Sequence, residues 1–126
     1  MFDLPYYQDK PSVTLQLQDN KKRWRYFKAL IDSGADFSIF PSRTAIILGI
    51  DFKKLQHIEV EAADGHVFKA CHTSILAKVG NKIFRIKIGF VDNPQLTPAM
   101  GRAGFFETFK VEFDERKKVV KLKSHN

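Results

Sequence analysis

The segment Asp32-Ser33-Gly34-Ala35-Asp36 holds the side chains best suited to chemistry in this 126-residue chain. Apolar residues precede it at Ala29-Leu30-Ile31 and dominate the run that follows, Phe37-Ser38-Ile39-Phe40. The pattern is typical of a carboxylate on a tight glycine turn between two apolar runs. Backbone amides and a neighbouring hydroxyl can hold such a carboxyl group, and its proton affinity then depends on the group that faces it.

The chain supplies one copy of this turn. Acid-base hydrolysis of an unactivated bond commonly uses two carboxyl groups, which share one proton when they lie about 3 Å apart. Asp36 follows Asp32 by one turn and need not face the same way. A homodimer would bring two Asp32 side chains together, because a two-fold interface places identical groups opposite each other. The alternative is an Asx-type turn between strands, with no chemistry.

The elements around this turn are mostly strands, because apolar and polar residues alternate with a period of two. Alternation predicts strands over 13–17 and 24–31, joined by a polar turn at 19–22, and the second strand leads directly to Asp32. A short helix is predicted to start at Pro41 and to stop at Gly49.

Two turn dipeptides, Asp64-Gly65 and Gly80-Asn81, lie between strand patterns and predict two hairpins. The first hairpin protrudes. The predicted strands cover 58–62 and 67–70 in the first hairpin, and 74–79 and 82–91 in the second.

The remaining segment combines a loop, a helix and two strands. Two prolines make 92–98 an irregular loop, and 102–109 is compatible with a helix that has three phenylalanines on one face. Strands are predicted over 111–114 and 119–122. With no linker or repeat, we expect a single mainly β domain over 1–126.

Two motifs in this chain resemble those of the retropepsin-like aspartic proteases, the single-domain retroviral type and its cellular and prokaryotic relatives. The first is Ile31-Asp32-Ser33-Gly34-Ala35-Asp36 with the apolar run after it. The second is Ala99-Met100-Gly101-Arg102, followed by Ala103-Gly104-Phe105-Phe106-Glu107. The order of elements agrees, and the resemblance covers about residues 12–122. It implies a retropepsin-like acid protease fold with a short C-terminal helix, active as a homodimer.

The resemblance also implies roles for the first motif. Asp32 of each subunit holds one water; one carboxylate acts as general base and the other, protonated, polarises the scissile carbonyl. The Ser33 hydroxyl bonds across the dimer axis, or is an ordinary local turn hydroxyl. Gly34 lets the substrate backbone approach, and Ala35 and Asp36 supply main-chain bonds to an extended peptide.

In the family, the arginine of the second motif pairs with the acid at the end of the first. Arg102 is therefore expected to form a bidentate ion pair with Asp36 and to clamp the loop, unless the two are independent surface charges. By the same resemblance, substrate is expected to contact a hairpin flap and a pocket wall. The expected residues are Ala63, Asp64 and Gly65 in the flap and Leu96, Thr97 and Ala99 in the wall.

This flap departs from the retroviral pattern, which is glycine-rich at its tip. Here the tip has one glycine, flanked by Asp64 and His66, and we expect His66 to be an exposed hairpin histidine. The departure supports a second interpretation of the chain, a catalytically inactive retropepsin-like domain for dimerisation or peptide binding. The preferred function is an aspartic endopeptidase acting on peptides or proteins.

The formal net charge is +7, concentrated at 21–25 and near 116–123. Lysines at turns and strand edges are usually solvated, so a nucleic acid partner is not expected, and a nucleic-acid-binding β module is the third interpretation of the chain. The longest apolar stretches are too short to span a bilayer, so no membrane partner is expected. Four scattered histidines and a single cysteine give no metal-ligand spacing, and no cofactor is expected. A lone Cys71 and the absence of a secretory pattern near the first residues favour a cytoplasmic location.

Overall fold

Side chains that alternate between apolar and polar place most of this chain in β-strands. The computed structural model describes residues 2–61 and 63–125. Within those residues the strands are β1 (Phe2–Pro5), β2 (Ser12–Gln18), β3 (Trp24–Ile31), β4 (Ser38–Pro41), β5 (His57–Glu61), β6 (Val67–Val79), β7 (Lys82–Val91), β8 (Ala99–Met100), β9 (Phe109–Asp114) and β10 (Val119–Ser124). Helical elements are α1 (Ser42–Ile47), a 3₁₀ turn (Phe52–Lys54) and an irregular turn (Arg102–Phe106).

Seven strands form one sheet in the order β2-β3-β8-β4-β7-β6-β5. An additional pairing of Gln16 with Lys78 joins β2 to β6, so that the sheet folds back on itself. The inward-facing side chains of this curved sheet form the core, which includes fully buried Leu15, Ile86 and Phe90. The short strand β8 lies between β3 and β4, directly below the Asp32 turn.

The second sheet joins the two ends of the chain in the order β1-β10-β9. Phe2 pairs with Leu122, so the N-terminal strand lies antiparallel to the C-terminal strand of the same chain. Strand β10 therefore has both of its edges paired within one chain. The Phe2 ring packs on Gly80, where a Cβ would come within 2.3 Å of the ring.

Most predicted elements are present in the structure. The predicted strands at 13–17 and 24–31 lie in β2 and β3, and α1 ends before Gly49, whose φ is +70°. The predicted strands 67–70 and 74–79 are parts of one 13-residue strand, β6, which serves both hairpins. Ala62, at the end of the predicted strand 58–62, lies outside the described residues.

The predicted C-terminal helix over 102–109 is not a regular helix. Ala103 (φ −67°, ψ 111°) and Gly104 (φ 93°, ψ −55°) lie outside helical geometry, and Phe109 begins β9. The reason is close packing, because a Cβ at Gly104 would come within 2.5 Å of the Arg85 carbonyl oxygen. The Glu107 side chain accepts the Gly104 N–H at 2.7 Å and stabilises the break. The expected phenylalanine core is present, with Phe105 and Phe109 buried.

Candidate active site

The Asp32 turn begins where β3 ends, and backbone bonds fix its conformation. The Asp32 N–H donates to the Met100 carbonyl at 3.0 Å, and the Ala35 N–H donates to the Asp32 carbonyl at 3.3 Å. The Gly34 N–H donates to Asp32 Oδ1 at 2.9 Å. The side chains of Asp32 and Ser33 are exposed. The Asp32 carboxylate is therefore exposed at the surface, on a backbone whose conformation is fixed by hydrogen bonds.

Gly101 lies beneath this turn and supports it. Its N–H donates to Ser38 Oγ at 3.1 Å, and Ser38 is fully buried. A Cβ at position 101 would come within 2.4 Å of the Phe37 carbonyl oxygen and 2.8 Å of the Ala35 carbonyl oxygen. Only glycine leaves room for the loop. Ser38 was not among the predicted site residues, although it is the polar residue in an otherwise apolar run.

Arg102 and Asp36 are in contact, but through a single bond and not as the predicted bidentate pair. The Arg102 guanidinium donates to Asp36 Oδ1, and both side chains are largely exposed, at 59% and 79%. The two backbones also join here, because the Arg102 N–H donates to the Ala35 carbonyl and the Ala103 N–H to the Asp36 carbonyl, both at 2.9 Å. Exposed ion pairs contribute little to the free energy of folding. The backbone hydrogen bonds therefore contribute most to holding the loop at Ala35 and Asp36 against Arg102 and Ala103.

The β5–β6 hairpin is the predicted flap, and its tip is a tight turn. Asp64 Oδ1 accepts the His66 N–H at 3.0 Å, and Asp64 Oδ2 lies 2.8 Å from His66 Nδ1. The bonds from His66 hold the pKa of the Asp64 carboxyl below its ordinary value. Gly65 has a φ of +88°, and Ala63 through His66 are exposed. The bonds between Asp64 and His66 therefore stabilise the conformation of this tip, which has one glycine where the retroviral pattern is glycine-rich.

The base of the same hairpin is tied to the 3₁₀ turn through a cysteine. Cys71 is fully buried, and its thiol donates to the Phe52 carbonyl at 3.1 Å. Sγ also lies 3.3 Å from Nδ1 of His57, the cross-strand neighbour of Cys71. Burial raises the pKa of the Cys71 thiol, which keeps it protonated near neutral pH. This geometry serves structure, since a reactive thiol needs a lowered pKa.

A cavity of about 290 Å³ lies beside the residues that precede Asp32. Leu30, Thr97 and Pro98 supply its apolar wall, and Lys10 and Lys28 also line it. Of the expected wall residues, Thr97 lines the cavity and Leu96 is half-buried. Ala99 is only 4% exposed and sits in β8, so its side chain does not line the surface of this chain, contrary to expectation.

Two negative findings apply to residues 2–61 and 63–125. No group of three or more His, Cys, Asp and Glu side chains there is arranged to hold a metal ion. No helix within those residues is long and apolar enough to cross a membrane.

Two proteases are among the solved structures that have the same architecture. A retropepsin-like aspartic protease from Rickettsia conorii matches with a TM-score of 0.73 and 20% identity, over 95% of this chain and 97% of that chain. EIAV protease in complex with the inhibitor HBY-793 matches with a TM-score of 0.58 and 19% identity, over 75% of this chain and 84% of that chain. No family model and no curated protein matches the sequence.

Proposed function

We propose that this chain, which has the retropepsin-like fold, is an aspartic endopeptidase that works as a homodimer. The observation that carries the proposal is the Asp32 turn, where an exposed carboxylate stands on a backbone fixed by Met100 and Gly101. Both solved neighbours are proteases of this architecture.

The proposed reaction uses one Asp32 from each subunit. One carboxylate removes a proton from a water molecule, whose oxygen attacks the carbonyl carbon of the peptide bond. The other, protonated, donates a hydrogen bond to the carbonyl oxygen. Collapse of the tetrahedral intermediate breaks the C–N bond, and the leaving nitrogen takes a proton from the pair. The exposed Ser33 hydroxyl bonds to the partner's loop and keeps the two turns in register.

The proposed substrate is an extended peptide. The flap residues Ala63, Asp64 and Gly65 cover it, while the main chain of Gly34, Ala35 and Asp36 binds it from below. The cavity lined by Leu30, Thr97 and Lys28 takes one of its side chains. Because two lysines and, among the described residues, no carboxylate line that cavity, an acidic side chain fits it best.

The proposed dimer has a constraint at the chain ends. In retroviral dimers of the implied type, terminal strands of two chains interleave in one sheet. Here β10 has both edges paired within the chain, so a partner meets the outer edge of β1 or β9, or displaces β1. The exposed residues 32–34 remain available as the centre of the interface.

Substitution of Asp32 tests the activity. The purified protein is incubated with a peptide library at several acidic and neutral pH values, and cleavage sites are read by mass spectrometry. We expect cleavage by the wild type, inhibition by a peptide mimic bearing a hydroxyl at the scissile position, and loss of cleavage in Asp32→Asn. Asp51→Asn, which keeps an oxygen to accept the Lys53 N–H, is the matched control and retains activity. Full activity in Asp32→Asn contradicts the proposal.

A further inference from the structure

The four longest strands of the large sheet carry no acidic residue. Neither β2, β3, β6 nor β7 contains Asp or Glu. Their inward positions, such as Leu15, Ala77 and Ile86, are buried, so the alternate positions face outward. Six of the outward residues form what is here called the basic face: Gln16, Trp24, Tyr26, Lys78, Arg85 and Lys87.

The strand register brings these residues together across the sheet. Gln16 lies opposite Tyr26 on one side and opposite Lys78 on the other. Arg85 and Lys87 follow on the next strand, two residues apart on the same outward side. Gln16, Trp24 and Tyr26 lie on one hairpin and Lys78, Arg85 and Lys87 on another, and the pairing of β2 with β6 brings the two hairpins together.

The cations of the basic face are not neutralised by carboxylates. Among residues 2–61 and 63–125, none of Lys78, Arg85 and Lys87 takes part in an ion pair. The nearby Asp19 carboxylate is only 1% exposed and bonds to Arg23 and Arg25. The face therefore offers an uncompensated positive potential to an anionic partner.

Aromatic rings stand among these cations. Tyr26 is 74% exposed and lies two residues from half-buried Trp24, so their Cα atoms are about 7 Å apart along β3. Lys78 Nζ lies 5.5 Å from the centroid of the Trp24 ring. Beside them is a concavity of about 300 Å³ that Gln18, Leu76 and Arg85 help to line. An exposed tyrosine in this position contributes nothing to the core.

We propose that the basic face binds single-stranded nucleic acid. Lys78, Arg85 and Lys87 contact phosphates, and bases stack on Tyr26 and Trp24, the combination by which proteins hold single strands. Two aromatic residues two positions apart on the outward side of one strand suit the stacking of successive bases. The expectation from the sequence alone, which considered only runs of charge along the chain, is that nucleic acid is not a partner, and the experiments below decide between the two. It involves none of the residues assigned to peptide cleavage.

Trp24 is the single tryptophan of the chain, so its fluorescence reports directly on the face. The full chain is titrated with a 12-nucleotide single strand of uridines and with a 12-base-pair duplex, across a salt series. We expect quenching of Trp24 emission, tighter binding of the single strand than of the duplex, and weaker binding as salt rises. Unchanged Trp24 emission at saturation, or equal affinity for the duplex, overturns the proposal.

Charge-matched variants distinguish binding by the basic face from binding that depends on net charge alone. The triple variant Lys78→Ala, Arg85→Ala, Lys87→Ala is expected to lose about tenfold or more in affinity and to reduce the salt slope by about 2. The control removes three exposed lysines elsewhere, Lys110→Ala, Lys117→Ala and Lys123→Ala, and is expected to lose less than about threefold. Equal losses in the two triples contradict a specific face.

A single substitution and a vesicle assay complete the test. Tyr26→Ala keeps every charge and is expected to lower affinity about tenfold through lost stacking. Circular dichroism and a denaturant unfolding curve confirm that each variant is folded. Binding to phosphatidylserine vesicles without binding to the oligonucleotide overturns the proposal in favour of a membrane surface.

Discussion

A Cβ at Gly101 would come within 2.4 Å of the Phe37 carbonyl oxygen. The backbone of Gly101, which follows β8, is therefore in direct contact with the backbone of the loop that follows Asp32. This closeness explains why the second motif has glycine before arginine. The φ of Gly101 is −102°, a value open to any residue, and the requirement for glycine is therefore one of space.

Gly101→Ala tests that requirement. The added methyl group must push the loop away from β8, and we expect a loss of about 1–3 kcal/mol in the free energy of unfolding together with most of the proposed activity. Urea unfolding and peptide cleavage measure the two effects. Gln56→Ala is the control, because Gln56 is exposed and lies in none of the segments proposed to bind substrate. An unfolding curve for Gly101→Ala that matches the wild type contradicts this account of the loop.

The Asp36–Arg102 ion pair lends itself to a double-mutant cycle. Asp36→Asn, Arg102→Gln and the double variant are compared by urea unfolding of the protein at low concentration. Because both side chains are exposed, we expect a coupling of no more than about 1 kcal/mol, with the backbone bonds of Ala35 and Arg102 retained. Coupling of several kcal/mol would mean that the pair is buried, for example by a partner subunit.

Asp19 makes stability depend on pH. Burial opposes ionisation of this carboxylate, but hydrogen bonds from the Arg23 and Lys21 amides and from the Arg25 and Arg23 side chains prevail and hold its pKa well below the ordinary value. A lowered folded-state pKa means stabilisation that is complete above the unfolded-state pKa of about 4 and declines as pH falls toward the folded-state pKa.

Asp19→Asn is the corresponding variant. We expect it to be less stable than the wild type at pH 7, with the difference shrinking between about pH 4 and pH 2. Urea unfolding at pH 7, 4 and 3 measures the trend, and exposed Asp92→Asn serves as the control. A difference that stays constant over this range shows that the charge of Asp19 is not what stabilises the hairpin.

Lys28 is expected to select substrate side chains at the cavity beside Leu30. If an acidic side chain binds there, Lys28→Glu should shift the cleavage profile away from acidic residues at one position by roughly fivefold. Profiling with the peptide library measures the shift, and Lys110→Glu, on β9, is the charge-matched control. An unchanged profile would assign substrate selection to other residues.

Turn dipeptides in the sequence correctly predicted the two hairpins. Asp64-Gly65 and Gly80-Asn81 specify hairpins through positive φ values at Gly65 and Gly80, and both hairpins are present. The pairing of Arg102 with Asp36 followed from the family resemblance.

Other features depend on contacts between distant residues and could not be predicted locally. Strand β8 has two residues, too few to show alternation, and the break at Gly104 arises from packing against the Arg85 backbone. The basic face was not predicted because Trp24 and Tyr26 lie on one hairpin and Lys78 and Arg85 on another, and the two hairpins meet only through the pairing of β2 with β6.

Mixing of subunits tests most directly whether function belongs to a pair of Asp32 residues. Wild-type protein at a fixed concentration is mixed with increasing Asp32→Asn protein and allowed to exchange subunits, and the rate of peptide cleavage is followed. Serum albumin replaces the variant in the control series. The account predicts that an equal amount of variant lowers the activity to about half, and that excess variant abolishes it, because each active dimer needs two wild-type chains. Activity that stays constant at every ratio would contradict it, since each chain would then carry a complete site.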